Sequence, residues 1–222
     1  MRTTGVAAAL LALVMLGSGA AMADSIVFSG QVSDNDAPVD VFDARVEWDF
    51  DDTTDVLTIE IFNDTVAPNA YTLSELFFNV SDNVTGLTIL DDGGYTDATL
   101  LTSQSADGFG TFDFMLDIGG LGGGGGANEG IAAGTSAVFT FNVTGSSLTN
   151  ADFFAGFATG GGRDKDPAVA AIKFTQGPGD DSVYSTPGDG DEPGEIIPEP
   201  ASMVLIGMGL AGMVYRRWRK SA

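Results

Sequence analysis

Residues 42–50 read Phe42-Asp43-Ala44-Arg45-Val46-Glu47-Trp48-Asp49-Phe50. Phe42, Ala44, Val46, Trp48 and Phe50 share one parity, and Asp43, Arg45, Glu47 and Asp49 the other. Side chains of an extended chain alternate between two faces, so this period of two predicts a strand with one buried and one wet face. Asp51-Asp52-Thr53-Thr54-Asp55 is a tight polar turn, and Val56 to Phe62 returns antiparallel, with Leu57, Ile59 and Ile61 on one side.

The pattern continues on both sides of this hairpin. Ser25 to Val32, Tyr71 to Val80, Val84 to Leu90 and a weaker Ala98 to Thr102 read as strands. So does Phe109 to Ile118, where Phe112, Phe114, Leu116 and Ile118 oppose Asp113 and Asp117. Ala137 to Val143, Phe153 to Thr159 and Ala168 to Thr175 complete the set, although Ala168 to Ala171 also suits a short helix. Short strands separated by turn residues, with no sustained helical period, predict an all-β fold. The expected form is an antiparallel β-sandwich, jelly-roll-like, over residues 24–176. From 177 to 197 Gly, Pro, Asp, Ser and Glu dominate, which reads as a solvated acidic linker.

Both ends of the chain carry export signals. Arg2 precedes an apolar run from Val6 to Leu16, and Ala21-Met22-Ala23 forms an A-x-A cleavage site before Asp24. Residues 1–23 are therefore expected to be a signal peptide for the general secretory machinery. At the other end an uncharged run from Ala201 to Tyr215 follows Pro198-Glu199-Pro200 and precedes Arg216, Arg217, Arg219 and Lys220. About fifteen residues make a helix of roughly 22 Å, short for a ~30 Å hydrocarbon core. Tyr215 and Trp218 can anchor it at the interface, and the basic cluster stays cytoplasmic. Gly207, Gly209 and Gly212 weaken that helix, which suits a temporary transmembrane anchor.

The order of Pro198-Glu199-Pro200, short apolar span and basic end resembles the PEP-CTERM sorting signal of exosortase-processed bacterial proteins. The resemblance covers about the last tenth of the chain. It implies that an exosortase, a membrane protease-transpeptidase, removes the tail near Pro198-Glu199-Pro200 and delivers the remainder outside the cell. In that family the cargo is usually associated with exopolysaccharide and biofilm matrix. Leu57-Thr58-Ile59, Phe139 to Val143 and Gly160-Gly161-Gly162 before Ala170-Ala171-Ile172 also look like the β-rich cargo domains common in that family.

Charge and missing residue types narrow the chemistry. Residues 24–197 hold 4 basic and 30 acidic residues, a formal −26. Such a surface repels nucleic acid and anionic lipid and attracts divalent cations. The chain has no Cys and no His. That excludes disulfides, thiolate catalysis, His-based triads and the usual zinc sites.

Four kinds of candidate site remain, each with a simpler alternative. Asp49, Asp51 and Asp55 could supply oxygens to calcium, as could Asp34-Asn35-Asp36 and Asp91-Asp92, but an ordinary acidic turn explains each. Residues 119–130 are mostly glycine, lack a Lys-Ser/Thr ending, and read as a surface loop rather than a phosphate cradle. A glycan-processing enzyme would need a close pair of carboxylates, one desolvated, while Asp43, Glu47, Asp113 and Asp117 are expected on solvent faces. A carbohydrate-binding or adhesin module would expose aromatics. Trp48 shares the apolar face of its strand and reads as core, whereas Tyr71, Tyr95 and Tyr184 lie near loops and could be exposed, but three scattered tyrosines do not make a site. The resulting expectation is a non-enzymatic, exported surface or matrix protein with no cofactor other than a calcium ion on an acidic turn.

Overall fold

The computed structural model describes residues 24–28, 43–65, 71–106, 108–119, 130–160, 168–175 and 183–187. Their strands are β1 (Asp24–Phe28), β2 (Ala44–Asp51), β3 (Val56–Asn63), β4 (Thr72–Phe78), β5 (Val84–Asp91) and β6 (Thr99–Ala106). Then come β7 (Gly110–Asp117), β8 (Thr135–Gly145), β9 (Ala170–Thr175) and β10 (Val183–Ser185). One 3-10 turn, Asn150–Asp152, is the single helical element among them. The fold is all-β, as the alternation predicts.

Two five-stranded antiparallel sheets result, in the orders β1-β2-β3-β8-β5 and β10-β9-β4-β7-β6. The β2–β3 hairpin lies where the period-two reading puts it, with Val46 opposite Ile61, Trp48 opposite Ile59 and Phe50 opposite Leu57. Burial along β2 alternates as expected: Ala44, Val46, Trp48 and Phe50 are buried while Arg45, Glu47 and Asp49 are half-exposed. The turn is tied by its own side chains. Asp51 accepts from the Thr53 amide at 2.9 Å and the Thr54 hydroxyl at 2.7 Å, and Asp55 takes the left-handed φ of 55°. Those bonds hold the Asp51 carboxyl below its usual range.

The sheets share one core. Phe28, Val46, Trp48, Ile59, Phe139 and Phe141 from the first meet Leu73, Leu76, Phe78, Phe114, Leu116 and Phe174 from the second. Each fully buried Phe or Ile contributes roughly 1.5–3 kcal/mol, which makes this layer the main source of stability. Phe153 and Phe154 wedge into it after the 3-10 turn. Phe154 stacks on Trp48 at 4.3 Å and on Phe78 at 5.1 Å between centroids, and Phe153 packs on Phe50 at 5.2 Å.

Three readings of the sequence need correction. Residues 153–159 form no strand, only isolated bridges from Val80 to Phe153 and from Thr111 to Thr159. Left-handed Phe154 (φ 52°) and Gly156 (φ 78°) break the extended chain, which lets two adjacent Phe side chains enter the same core. In β7, Phe112 does not share the face of Phe114. It joins Phe77, Phe109 and Met115 in a second apolar cluster, and the break coincides with left-handed Ser103, which interrupts the β6 ladder between Thr102 and Gln104. Asp117, expected on a solvent face, is buried at 3 % exposure. A strand whose two faces are both covered loses the clean alternation that a half-exposed strand shows.

The boundaries at the ends also shift. Val183–Ser185 pairs with β9 as an edge strand inside the stretch read as linker, with Ser185 and Thr186 buried. Three residues are too few for a period to register, and the surrounding Gly, Pro and Asp mask them. Residues 170–175 form a strand and not a helix. The signal peptide, the rest of the 177–197 stretch, the sorting motif and the apolar run at 201–215 lie outside the described residues. Among the described residues no helix is long and apolar enough to cross a membrane.

Candidate functional site

The sites anticipated on the β-domain are mostly structural. Asp49 and Asp51 share a face of β2, but Asp51 spends both oxygens on the turn and Asp55 stands exposed at its far end. Asp91 and Asp92 bond the amides of Gly93 and Gly94, each at 2.9 Å, in the manner of acidic turns. Among the described residues no group of three or more acidic side chains comes together as a metal site. Asp34, Asn35 and Asp36 lie outside the described residues, as does most of the glycine stretch at 119–130.

Most aromatic side chains of the described residues face inward. Trp48 is 6 % exposed, stacks on Phe154, and donates its indole N–H to the Asn150 carbonyl at 3.3 Å. The three tyrosines near loops are covered to different degrees: Tyr71 is buried, while half-buried Tyr95 packs on Phe139 at 5.8 Å and half-buried Tyr184 on Phe77 at the same distance. Strands next to the loops have covered faces here, so nearness to a loop does not translate into exposure. Among the described residues Phe157 is the exposed aromatic, at 54 %. A single ring is not a stacking platform.

The carboxylates divide into paired and solvated groups. Glu47 pairs with Arg45, whose guanidinium also lies 3.7 Å from the Phe62 ring centre and 3.9 Å from Asp64. Asp43 is exposed, and its carboxyl is nevertheless pushed up, first by partial desolvation and then by the charge of Asp64, against the pull of Arg45. Asp113 accepts from the Val80 amide at 3.0 Å. Glu75 and Lys173, cross-strand partners on β4 and β9, form a pair at 2.6 Å with side chains 16 % and 21 % exposed.

Two arrangements escaped the sequence reading. Asp152 closes a part-buried polar lock: its Oδ1 accepts from Ser81 Oγ at 2.5 Å and Asn83 Nδ2 at 2.9 Å, and its Oδ2 from the Thr149 amide at 2.8 Å and hydroxyl at 3.0 Å. The spacing Thr149-x-x-Asp152 was the available signal, because a hydroxyl three residues before an acid is the capping-box pattern. The second is Asp24, the first residue after the expected cleavage site, buried at 7 % exposure beside Asp49. No period or motif could announce that proximity, which comes from the pairing of two strands.

Ala21, Ala23, Pro198, Glu199, Pro200, Arg216, Arg217, Arg219 and Lys220 lie outside the described residues. Comparison with curated proteins and with solved structures gives no match. Residues 197–220 match the family model of the PEP-CTERM protein-sorting motif, so the chain is an all-β protein that carries this motif at its C-terminal end.

Proposed function

We propose that this chain is an exported β-sandwich, jelly-roll-like, that an exosortase sorts and processes for display at the cell surface or in the extracellular matrix. There it serves as a structural component of biofilm or exopolysaccharide. The observation that carries the reading is the sorting motif at 197–220 behind an all-β body. The general secretory machinery takes up residues 1–23. The apolar run at 201–215 then holds the chain in the inner membrane, with Arg216, Arg217, Arg219 and Lys220 on the cytoplasmic side. Cleavage near Pro198-Glu199-Pro200 frees the domain.

The formal −26 of residues 24–197 supports a hydrated matrix role, with divalent cations bridging acidic surfaces to each other or to anionic polysaccharide. A non-enzymatic reading is supported by the engagement of Glu47, Glu75, Asp113 and Asp152 in structural contacts. The inward-facing aromatics count against a carbohydrate-binding module built on a stacking platform.

Intact mass of the protein from surface and medium fractions of its host tests the proposal. A mass that ends near Pro198 to Pro200 is the expected result. A full-length tail found solely in the inner membrane overturns it and leaves a membrane-tethered periplasmic domain.

A further inference from the structure

β1 starts at Asp24, and its register sets Asp24 opposite Trp48. In an antiparallel ladder the backbone nitrogen of Asp24 then stands level with the Trp48–Asp49 peptide. Asp49 Oδ1 is closed off from solvent and has no hydrogen-bond partner. Asp24 is buried beside it, and its carboxyl is pushed up, first by burial and then by the negative charge of Asp49. By this register the Asp24 side chain lies on the Trp48 face and Asp49 on the other, so the backbone nitrogen of Asp24, rather than its carboxyl, is the group level with Asp49.

Among the described residues the surrounding elements supply no cation. Thr58 of β3 lies opposite Asp49, and Asn150 of the 3-10 turn bonds the Trp48 indole. The two basic side chains among the described residues, Arg45 and Lys173, are engaged with Glu47, Asp64 and Glu75. Shielding a carboxylate oxygen from water without a donor is costly, so the site as it stands is incomplete.

We infer that cleavage between Ala23 and Asp24 completes this site, because the freed α-ammonium of Asp24 pairs with Asp49 and fastens β1 to β2. Hydrolysis adds water across the Ala23–Asp24 peptide bond, leaving a carboxylate on Ala23 and an amine on Asp24 that takes up a proton. A neutral amide with one donor becomes a cation with three. The processed chain then holds its edge strand more firmly than the precursor does. This inference rests on the reading of Ala21-Met22-Ala23 as a cleavage site. It also gives the acidic sequence at 24 and 49 a role that requires no metal.

The test compares two chains in detergent, both ending at Ala222. One begins at Asp24 after release from an N-terminal fusion, and the other retains Met22 and Ala23. Titration of the α-amine by NMR should place its midpoint about one unit above the ordinary value of ~7.7, and Asp49→Asn should return it there. Amide exchange across β1 should be roughly tenfold slower in the chain that begins at Asp24, since one pKa unit is a factor of ten in the coupled equilibrium. The pair raises the amine pKa, so this protection holds below the unfolded value and is lost as pH rises through the folded one. A midpoint that Asp49→Asn does not move, or equal exchange in the two chains, overturns the inference. So does protection by added calcium alone, equal in both chains, which would assign the carboxylates to a divalent ion. An N-terminus other than Asp24 in the native protein overturns the processing premise, and the titration reports on the pair separately.

Discussion

Replacing Asp152 by Ala removes the one carboxylate that ties the β4–β5 connection to the 3-10 turn. It accepts four hydrogen bonds, from Ser81, Asn83 and both donors of Thr149. At ~1 kcal/mol net apiece they set an upper figure of about 4 kcal/mol. Asn83 and Thr149 are exposed and Ser81 is half-exposed, so their freed groups regain water. The expected loss is therefore about 2–3 kcal/mol. The 3-10 turn also carries Asn150, whose carbonyl takes the Trp48 indole and whose Oδ1 takes the Phe50 amide at 2.6 Å. Trp48 emission in a Trp218→Phe background thus reports directly on the detached turn.

The sign of the pH dependence follows from the same contacts. Burial pulls the Asp152 carboxyl up, but the bonds from Ser81, Asn83 and Thr149 outweigh it and hold the group below its usual range. A depressed carboxyl stabilises the fold above its unfolded pKa and loses that contribution as pH falls through the folded one. Urea unfolding should show a lower midpoint for Asp152→Ala at pH 7 with an unchanged slope, and the gap should start to narrow below about pH 4 and go on narrowing as pH falls through the lower folded value. A variant within ~0.5 kcal/mol of wild type at pH 7, or a gap indifferent to pH, would refute the reasoning.

Other perturbations test separate parts of the fold. Lys173→Met strands Glu75 in a mostly covered site and should cost about 2 kcal/mol in thermal unfolding, with Glu75→Gln added to it recovering part. Burial alone would lower the Lys173 pKa, but the bond and charge of Glu75 raise it, so the contribution of this pair holds at neutral pH and is lost as pH rises through the folded lysine value. Phe139→Ala opens a cavity between the sheets and should cost roughly 3–5 kcal/mol by urea titration; a loss under 1 kcal/mol would mean that the site collapses freely. Gly93→Ala combines a φ of 63° with a Cβ pressed into the Val138 carbonyl oxygen, and should lower stability by about 2 kcal/mol in the same assay.

The candidate sites were less legible than the strands. Asp51, Asp91 and Asp92 are acids on turns, and sequence shows that much, but whether their oxygens face a common point or their own backbone amides depends on local dihedrals. The sorting motif was legible because it is linear: its order of Pro-Glu-Pro, apolar run and basic end is read along the chain without any tertiary contact.

The same distinction separates what sequence by itself determined from what needed the folded molecule. Alternation in Phe42 to Phe50 and Leu57, Ile59 and Ile61 specified the first hairpin and its buried face, since a period of two is a property of a single extended strand. Where a strand is covered on both faces, as at Phe112 and Asp117, or lasts three residues, as at Val183–Ser185, no local period remains to be read. The approach of Asp24 to Asp49 and of Ser81 to Asp152 joins residues 25 and 71 positions apart, and the β4–β9 pairing joins residues 103 apart. Such contacts follow from how strands pair across the sheets and from which charges that pairing leaves out of water, and those are settled by tertiary structure alone.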